Sequence, residues 1–410
     1  MRKMTMGFPL LLAALPLTAQ VTFQHGNTLS QLINNLYGGN GIQLKPNGHQ
    51  AHFGETEDFQ QFTAVLQAVL QARPVFPIPS SVGVVSYNFN EQTGTYERVQ
   101  GSFGPILGER ATTSGHGHAN VSVSYTFSDF EKFNGASDIS LTLHHCTTAD
   151  CTFGNPNQAY LRDVIAVGVH MKLKSQVVAT SIVYGVTDRI DAGVVLPYIR
   201  NDLNVFAHAV IVPDPATPPG VHQFDPTIQT PDQFGTAHAI GIGDIVLRGK
   251  IHLPLKKLPF ETAALTDITL PSGDKQNFLG TGDLRVKETL IVSKTAARFS
   301  PHLNVGYELN TNHTKLSSVD YRAGSEVVVS PRLTLVGDLL GLVQPSISSQ
   351  FRVRALEGQS LTARSLIDGS FGGKWQMGPR SLFTFNLLLP MNTSGIRPNS
   401  VVTFGVQVGL

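Results

Sequence analysis

The chain has 410 residues, of which only 14% are charged against roughly 25% in ordinary soluble proteins, and it carries 39 glycines. Its formal net charge of +1 gives no reason to expect a polyanionic partner such as nucleic acid. With so few charges and no apolar run long enough for a membrane helix, the apolar residues must be spread in alternation with polar ones.

At the start, Arg2 and Lys3 precede an apolar run from Phe8 to Leu17 and a small-residue exit at Leu17-Thr18-Ala19. This order predicts a secretory signal peptide over 1–19, cleaved after Ala19. Residues 20–115 form a second unit. Leu29, Leu32, Ile33 and Leu36, and then Phe59, Phe62, Val65, Leu66, Val69 and Leu70, recur at helical spacing and predict two amphipathic helices. A hairpin over Val82–Phe89 and Thr95–Val99 follows, turned at Glu91-Gln92-Thr93-Gly94. Such helices need an apolar surface to bury against. The segment is therefore expected to act as a plug in a barrel mouth or as a periplasmic cap, with Phe59, Phe62 and Leu66 as a greasy surface for solute.

From 116 to 410 the pattern changes to period two, which places alternate side chains on opposite faces of a strand. Ala119, Val121, Val123, Tyr125 and Phe127 interleave with His118, Asn120, Ser122, Ser124, Thr126 and Ser128. Similar segments recur to the C-terminus, and twelve strands are predicted: 118–128, 162–186, 189–199, 243–253, 261–270, 284–293, 301–310, 319–330, 333–341, 364–377, 381–389 and 400–410. If Asp163–Val186 were two strands, Ile139–His144 would join and the number would be 14.

Short turns at Thr187-Asp188-Arg189, Phe299-Ser300-Pro301, Ser330-Pro331-Arg332 and Gly378-Pro379-Arg380 alternate with long polar loops near Asn201–Gly241, Pro271–Asp283, Thr311–Ser318, Val343–Leu361 and Met391–Asn399. Short turns at one end and long loops at the other define an up-and-down antiparallel transmembrane β-barrel of the bacterial outer membrane. The last strand, with Thr403-x-Gly405-x-x-Val408-x-Leu410, is similar to the endings read by the barrel-assembly machinery, although the final residue there is usually aromatic. Cys146 and Cys151 most simply close a local disulfide in an oxidising compartment. A metal site with His144 and His145 lacks the usual pair-spacer-pair framework.

Four stretches carry a family resemblance: Tyr184-Gly185-Val186-Thr187-Asp188-Arg189-Ile190-Asp191-Ala192-Gly193 with Pro197-Tyr198; Gly241-Ile242-Gly243-Asp244-Ile245-Val246-Leu247-Arg248; Leu270-Pro271-Ser272-Gly273-Asp274; and Leu279-Gly280-Thr281-Gly282. In order and spacing they resemble the outer-membrane barrels of the MetA pathway of phenol degradation. Ser102-Phe103-Gly104-Pro105 and Glu109-Arg110 resemble a stretch that precedes the first strand there. The resemblance implies a channel for aromatic or other hydrophobic solutes and no defined binding residues. On the residues alone, Gly185 and Thr187-Asp188-Arg189 suit a tight periplasmic turn.

No Gly-x-Ser-x-Gly elbow, His-Glu-x-x-His motif or phosphate loop occurs, so no enzyme activity, metal or cofactor is expected. Alternation points Arg248, Lys250, His252, Asn304, Glu308, Asp320, Arg322, Glu326, Asp338, Asp368, Lys374 and Gln376 into the lumen, where mixed charge predicts no strong ion selectivity. The partners expected are outer-membrane lipid, the assembly machinery and a small hydrophobic solute. A structural or adhesive barrel with partner-binding loops is the alternative, and an outer-membrane hydrolase is a more distant one.

Overall fold

The computed structural model describes residues 28–38, 41–46, 53, 87–90, 95–98, 101–133, 135–144, 159–255, 258–296, 298–343 and 365–410. The signal peptide, the second amphipathic segment with Phe59, Phe62 and Leu66, and the Cys146/Cys151 pair lie outside these residues. Helix α1 spans Leu29–Asn34. Strands β1 (Tyr87–Asn90) and β2 (Thr95–Arg98) pair as the expected hairpin.

The remaining described strands form one sheet of fourteen. In chain order they are β3 (Ala119–Phe133), β4 (Asp138–His144), β5 (Val164–Thr187), β6 (Ile190–Val212), β7 (Asp232–Ile242), β8 (Val246–Leu253), β9 (Glu261–Thr269), β10 (Arg285–Ser293), β11 (Phe299–Asn310), β12 (Ser318–Ser330), β13 (Leu333–Val343), β14 (Ser365–Gly378), β15 (Ser381–Pro390) and β16 (Ile396–Gly409). Twelve of them close a ring of antiparallel neighbours, with β3 pairing β16 on one side and β5 on the other, and β6 pairing both β5 and β8. The sheet has thus no free edge at membrane level, which satisfies every backbone group without water.

The two further strands are continuations. β3 pairs the lower half of β5 and, after Gly135, Ala136 and Ser137, β4 continues upward along its upper half, Asp138 opposite His170. Likewise β7 pairs the upper part of β6, and after Gly243-Asp244-Ile245 the chain resumes as β8 against the lower part. Asp163–Val186 is therefore one strand, and the ring numbers twelve.

The loop expected at Asn201–Gly241 is instead mostly strand: β6 runs on to Val212 and β7 begins at Asp232. At roughly 3.3 Å per residue the 24-residue β5 is about 80 Å long, whereas a tilted membrane strand needs only about 9–11 residues. The upper halves of β5 and β6 stand above the bilayer. Alternation persists there with its sense inverted. On β6, Asp191 faces inward and Leu196 and Tyr198 outward near the turn, but beyond Ile199 the inward face is Leu203, Val205, Ala207 and Ala209 and the outward face mixes Arg200, Asp202, Asn204 and His208 with Phe206, Val210 and Val212. β5 changes at the same level, from outward Tyr184, Ile182 and Val178 to outward Gln176, Lys174 and Lys172; Val178 lies opposite Tyr198, and Gln176 opposite Arg200. A face that meets lipid must be apolar and one that meets water polar, so this level marks the outer membrane boundary.

Below it, exposed apolar side chains encircle the barrel, among them Val123, Leu247, Leu290, Val305, Leu335, Trp375 and Phe404. Tyr125, Tyr198 and Tyr307 sit toward the long-loop rim and Tyr184 and Trp375 toward the short-turn rim, as in the aromatic girdles of outer-membrane barrels. The inverted upper sheet builds a small water-soluble core. Leu29 and Tyr37, with Ile42, Leu44 and Phe53, pack on its inner face against Leu141, Ile165, Val167 and Leu203. The Tyr37 hydroxyl donates to Pro231 O at 2.9 Å, and Gln229 Nε2 donates to Tyr37 O at 2.7 Å. The first amphipathic segment finds its apolar surface at the outer rim.

Phe299-Ser300-Pro301 is the first stretch of β11 rather than a turn. Gly185 also lies within a strand, not in the adjacent turn. Its missing side chain matters because any Cβ would run into the Gly115 carbonyl, where the chain turns into β3 through Gly115 (φ +83°) and Gly117 (φ +78°).

Candidate solute pathway through the barrel

Residues 101–114 have no periodicity and form neither helix nor strand. They thread the lumen. A chain in such a place must satisfy its backbone from the barrel wall. Phe103 N–H donates to Thr334 Oγ1 at 3.2 Å, and Lys374 Nζ donates to Phe103 O at 3.2 Å. Asn304 grips Glu109 twice, accepting from its N–H at 2.7 Å and donating to its carbonyl at 2.9 Å. Ala111 N–H donates to Ser293 Oγ at 3.0 Å, Lys250 Nζ reaches Arg110 O at 3.4 Å, and Ser114 N–H donates to both oxygens of Asp191. At the short-turn rim Thr113 Oγ1 donates to Asp188 O.

Two buried ion clusters fix the same segment. The Glu109 carboxylate accepts from Arg248 at 2.7 Å, and Arg248 also donates to both oxygens of Asp267. Arg110 bonds Glu326 and Ser102, while His302 lies between Glu326 and Asp338, at 3.2 Å and 2.9 Å. Gly108 passes so close to the His302 ring that any Cβ there would collide with it.

Above this segment the lumen holds a cavity of about 240 Å³, bordered by Leu107. Strand order divides its wall. Arg248, Asp267, Arg285, Lys287, Glu308, Asp320 and Arg322 project from the consecutive strands β8 to β12; Leu340, Leu342, Leu366, Leu388, Val401, Phe130, Leu173 and Ile199 project from β13 to β16 and then β3, β5 and β6. Because the ring is closed, the charged arc and the apolar arc face each other. Asp368 on the apolar arc is paired with Arg397 at 2.6 Å.

Phe278, Leu279, Gly280 and Thr281 of the outer loop 270–284 border the cavity too. Asp244, placed by the break between β7 and β8, holds this loop in: it accepts from Thr281 N–H at 2.7 Å, Thr281 Oγ1 at 2.8 Å and Gly273 N–H at 3.0 Å. Ser272 Oγ donates to Gly243 O, and Asn201 Nδ2 donates to Phe278 O at 2.9 Å. The motifs at Gly241–Asp244, Leu270–Asp274 and Leu279–Gly282 thus meet in space as one loop anchor. Phe278 is the described non-glycine residue with a left-handed backbone, at φ +54°.

The twelve lumen residues expected from alternation all lie on the inward face but split by role, with Asp338 beside His302 and Gln376 near the short turn at Pro379. Lys250, His252, Asn304, Glu326 and Lys374 bond or surround the 101–114 segment; Arg248, Glu308, Asp320, Arg322 and Asp368 line the cavity, with Arg248 and Arg322 doing both. The apolar arc was missed. Its signal is loss of alternation near the outer strand ends, in Leu339-Leu340, Leu387-Leu388-Leu389 and Val401-Val402, where both faces are apolar.

The closed ring, its apolar belt and its division into short turns and long loops make the chain a membrane-spanning β-barrel of the bacterial outer membrane. No protein-family model matches the chain, and no curated protein matches its sequence. Among solved structures it is similar to an outer membrane channel from Pseudomonas putida F1, at 13% identity and a TM-score of 0.47 over 73% of this chain and 98% of that one. It is also similar to the toluene transporter TbuX of Ralstonia pickettii, at 12% identity and a TM-score of 0.37 over 76% and 99%. A third is the CymD monoaromatic hydrocarbon channel, at 11% identity and a TM-score of 0.35 over 72% and 89%.

Proposed function

We propose that this barrel is a channel that passes small hydrophobic molecules of one-ring size across the outer membrane. The observation that carries the proposal is the cavity of about 240 Å³ with a largely apolar arc, inside a barrel whose lower lumen is filled by residues 101–114. An apolar cavity of about 150 Å³ already accepts benzene, so a substituted single ring fits. Aromatic solutes are also what the resemblance to the MetA-pathway barrels implies. The 101–114 segment is held by hydrogen bonds and ion pairs rather than by a continuous strand ladder, and it restricts polar leakage. Insertion uses the barrel-assembly machinery through β16, which must close the ring against β3.

Uptake of labelled benzyl alcohol by cells with and without the barrel tests this directly. Expression is expected to raise the initial rate several-fold, and Leu340→Trp or Leu388→Trp, which fill the cavity, to return it to background. An uptake rate independent of the barrel would refute the channel function.

A further inference from the structure

We infer that the cavity is an amphipathic binding site whose solute carries an anionic group, a small aromatic carboxylate, with Lys287 and Arg322 as the head-group subsite. The inference rests on the channel function proposed above and narrows its substrate class. A cavity meant for a plain hydrocarbon gains nothing from a charged wall, since each partly desolvated charge costs free energy unless something answers it.

The charged arc answers most of its own charges. Arg248 is engaged by Asp267 and Glu109, and Arg285 Nη1 donates to Glu308 at 3.0 Å. Lys287 and Arg322 differ, because they share one carboxylate: Lys287 Nζ lies 2.6 Å from Asp320 Oδ1 and Arg322 Nη2 lies 3.5 Å from Asp320 Oδ2. Within this group two cations flank one carboxylate, a local excess of positive charge in a wall that elsewhere carries Asp244, Asp267, Glu308 and Asp368 against Arg248 and Arg285. All three side chains keep some exposure, 15% for Lys287, 12% for Asp320 and 21% for Arg322, and all three line the cavity. Arg322 is held in place from below by donating Nη1 to Leu107 O at 2.8 Å.

The meeting of these residues is built into the strand between them. Lys287 is on β10 and Asp320 on β12, with β11 intervening, and they touch across Gly306. A Cβ at Gly306 would sit 2.7 Å from Asp320 Oδ1 and 2.9 Å from Lys287 Cε. Across the lumen, Leu340, Leu366 and Leu388 supply the surface for an apolar ring. A planar carboxylate accepts from a guanidinium and an ammonium together, and charge-assisted bonds of this kind are roughly twice as strong as neutral ones.

Isothermal titration calorimetry on the full-length protein in detergent, with benzoate and benzyl alcohol as matched probes, tests the assignment. Benzoate is expected to bind at least tenfold more tightly than benzyl alcohol. Lys287→Met should weaken benzoate about tenfold or more, far more than it changes benzyl alcohol, with Lys287→Arg restoring most of the loss. Asp320→Asn removes the competing carboxylate and should tighten benzoate several-fold, a gain that a damaged barrel would not show. Equal affinity for both probes, unmoved by Lys287→Met and Asp320→Asn, would overturn the anionic subsite and leave the hydrophobic channel standing. Binding of neither probe, together with barrel-independent uptake of benzyl alcohol, would overturn both.

Discussion

Glu326 shows how single residues hold this lumen together. It is fully buried, and its partners Ser102, Arg110 and His302 come from the threading segment and from β11. Removing one member of such a buried cluster strands the others, at a cost of about 3–5 kcal/mol. Glu326→Ala should therefore lower unfolding stability in lipid by about that much, measured by urea titration. Asp202→Ala, which breaks the exposed Arg200 pair, should cost under about 1 kcal/mol.

A second residue sets a pH limit on the outer surface. Burial pushes the Asp283 carboxyl up, but donors from Asn310 (2.9 Å), His313 (2.9 Å) and Asn312 (3.1 Å) outweigh this and hold it below the ordinary carboxylate range. A lowered pKa contributes stability above the unfolded value, about 3.9, that is lost as pH falls through the folded one. Protease nicking of the 311–317 loop should stay slow down to about pH 4 and rise below it. In Asp283→Asn the loop should be cut readily at neutral pH, and equal cutting of both proteins would remove this role.

At the level of elements, burial alone does not separate lipid from water. Val305 on β11 and Phe206 on β6 are almost equally exposed, at 44% and 43%, yet one lies in the middle of the belt and the other on the upper sheet. Arg at the bilayer midplane costs about 2–4 kcal/mol and above the membrane little. Val305→Arg should therefore impair folding into vesicles by that amount while Phe206→Arg folds normally; equal penalties would misplace the boundary at Gln176 and Arg200.

The ring strands were legible because a lipid-facing and a lumen-facing side give strict alternation, as in His118–Ser128. The upper half of β6 was not, because Leu203, Val205, Ala207 and Ala209 point inward there, and small alanines on either side of His208, close to Asn204, read as a polar loop. The inversion is visible only once the neighbouring strand shows which face is which. The second amphipathic segment, Phe59 to Leu70, lies outside the described residues, so its place in the mouth is still a proposal.

Across the whole molecule, the chain uses one fold for three jobs: a belt in lipid, a small soluble core above it and a charged lumen that clasps residues 101–114. That clasp was the least legible feature. Glu109 and Asn304 are 195 positions apart, Lys374 and Phe103 are 271 apart, and neither side has a local pattern that announces the other. The charged lumen residues follow from alternation, but Lys250, His252, Asn304, Glu326 and Lys374 contact or surround residues 101–114 rather than the cavity. The apolar arc that completes the cavity was hidden by the same rule, since alternation assigns outward every apolar residue it meets.

If the barrel is a channel whose lower part residues 101–114 close, loosening that segment should open it to ions. Single-channel conductance in planar bilayers, comparing the wild type with Arg110→Ala/Asn304→Ala, tests it most directly. These substitutions remove the Arg110–Glu326 pair and both Asn304 hydrogen bonds to Glu109 while leaving every lipid-facing side chain unchanged. The account predicts a low wild-type conductance and one several-fold larger in the double variant, with the barrel still inserted. A correctly inserted double variant that conducts no more than the wild type would contradict it.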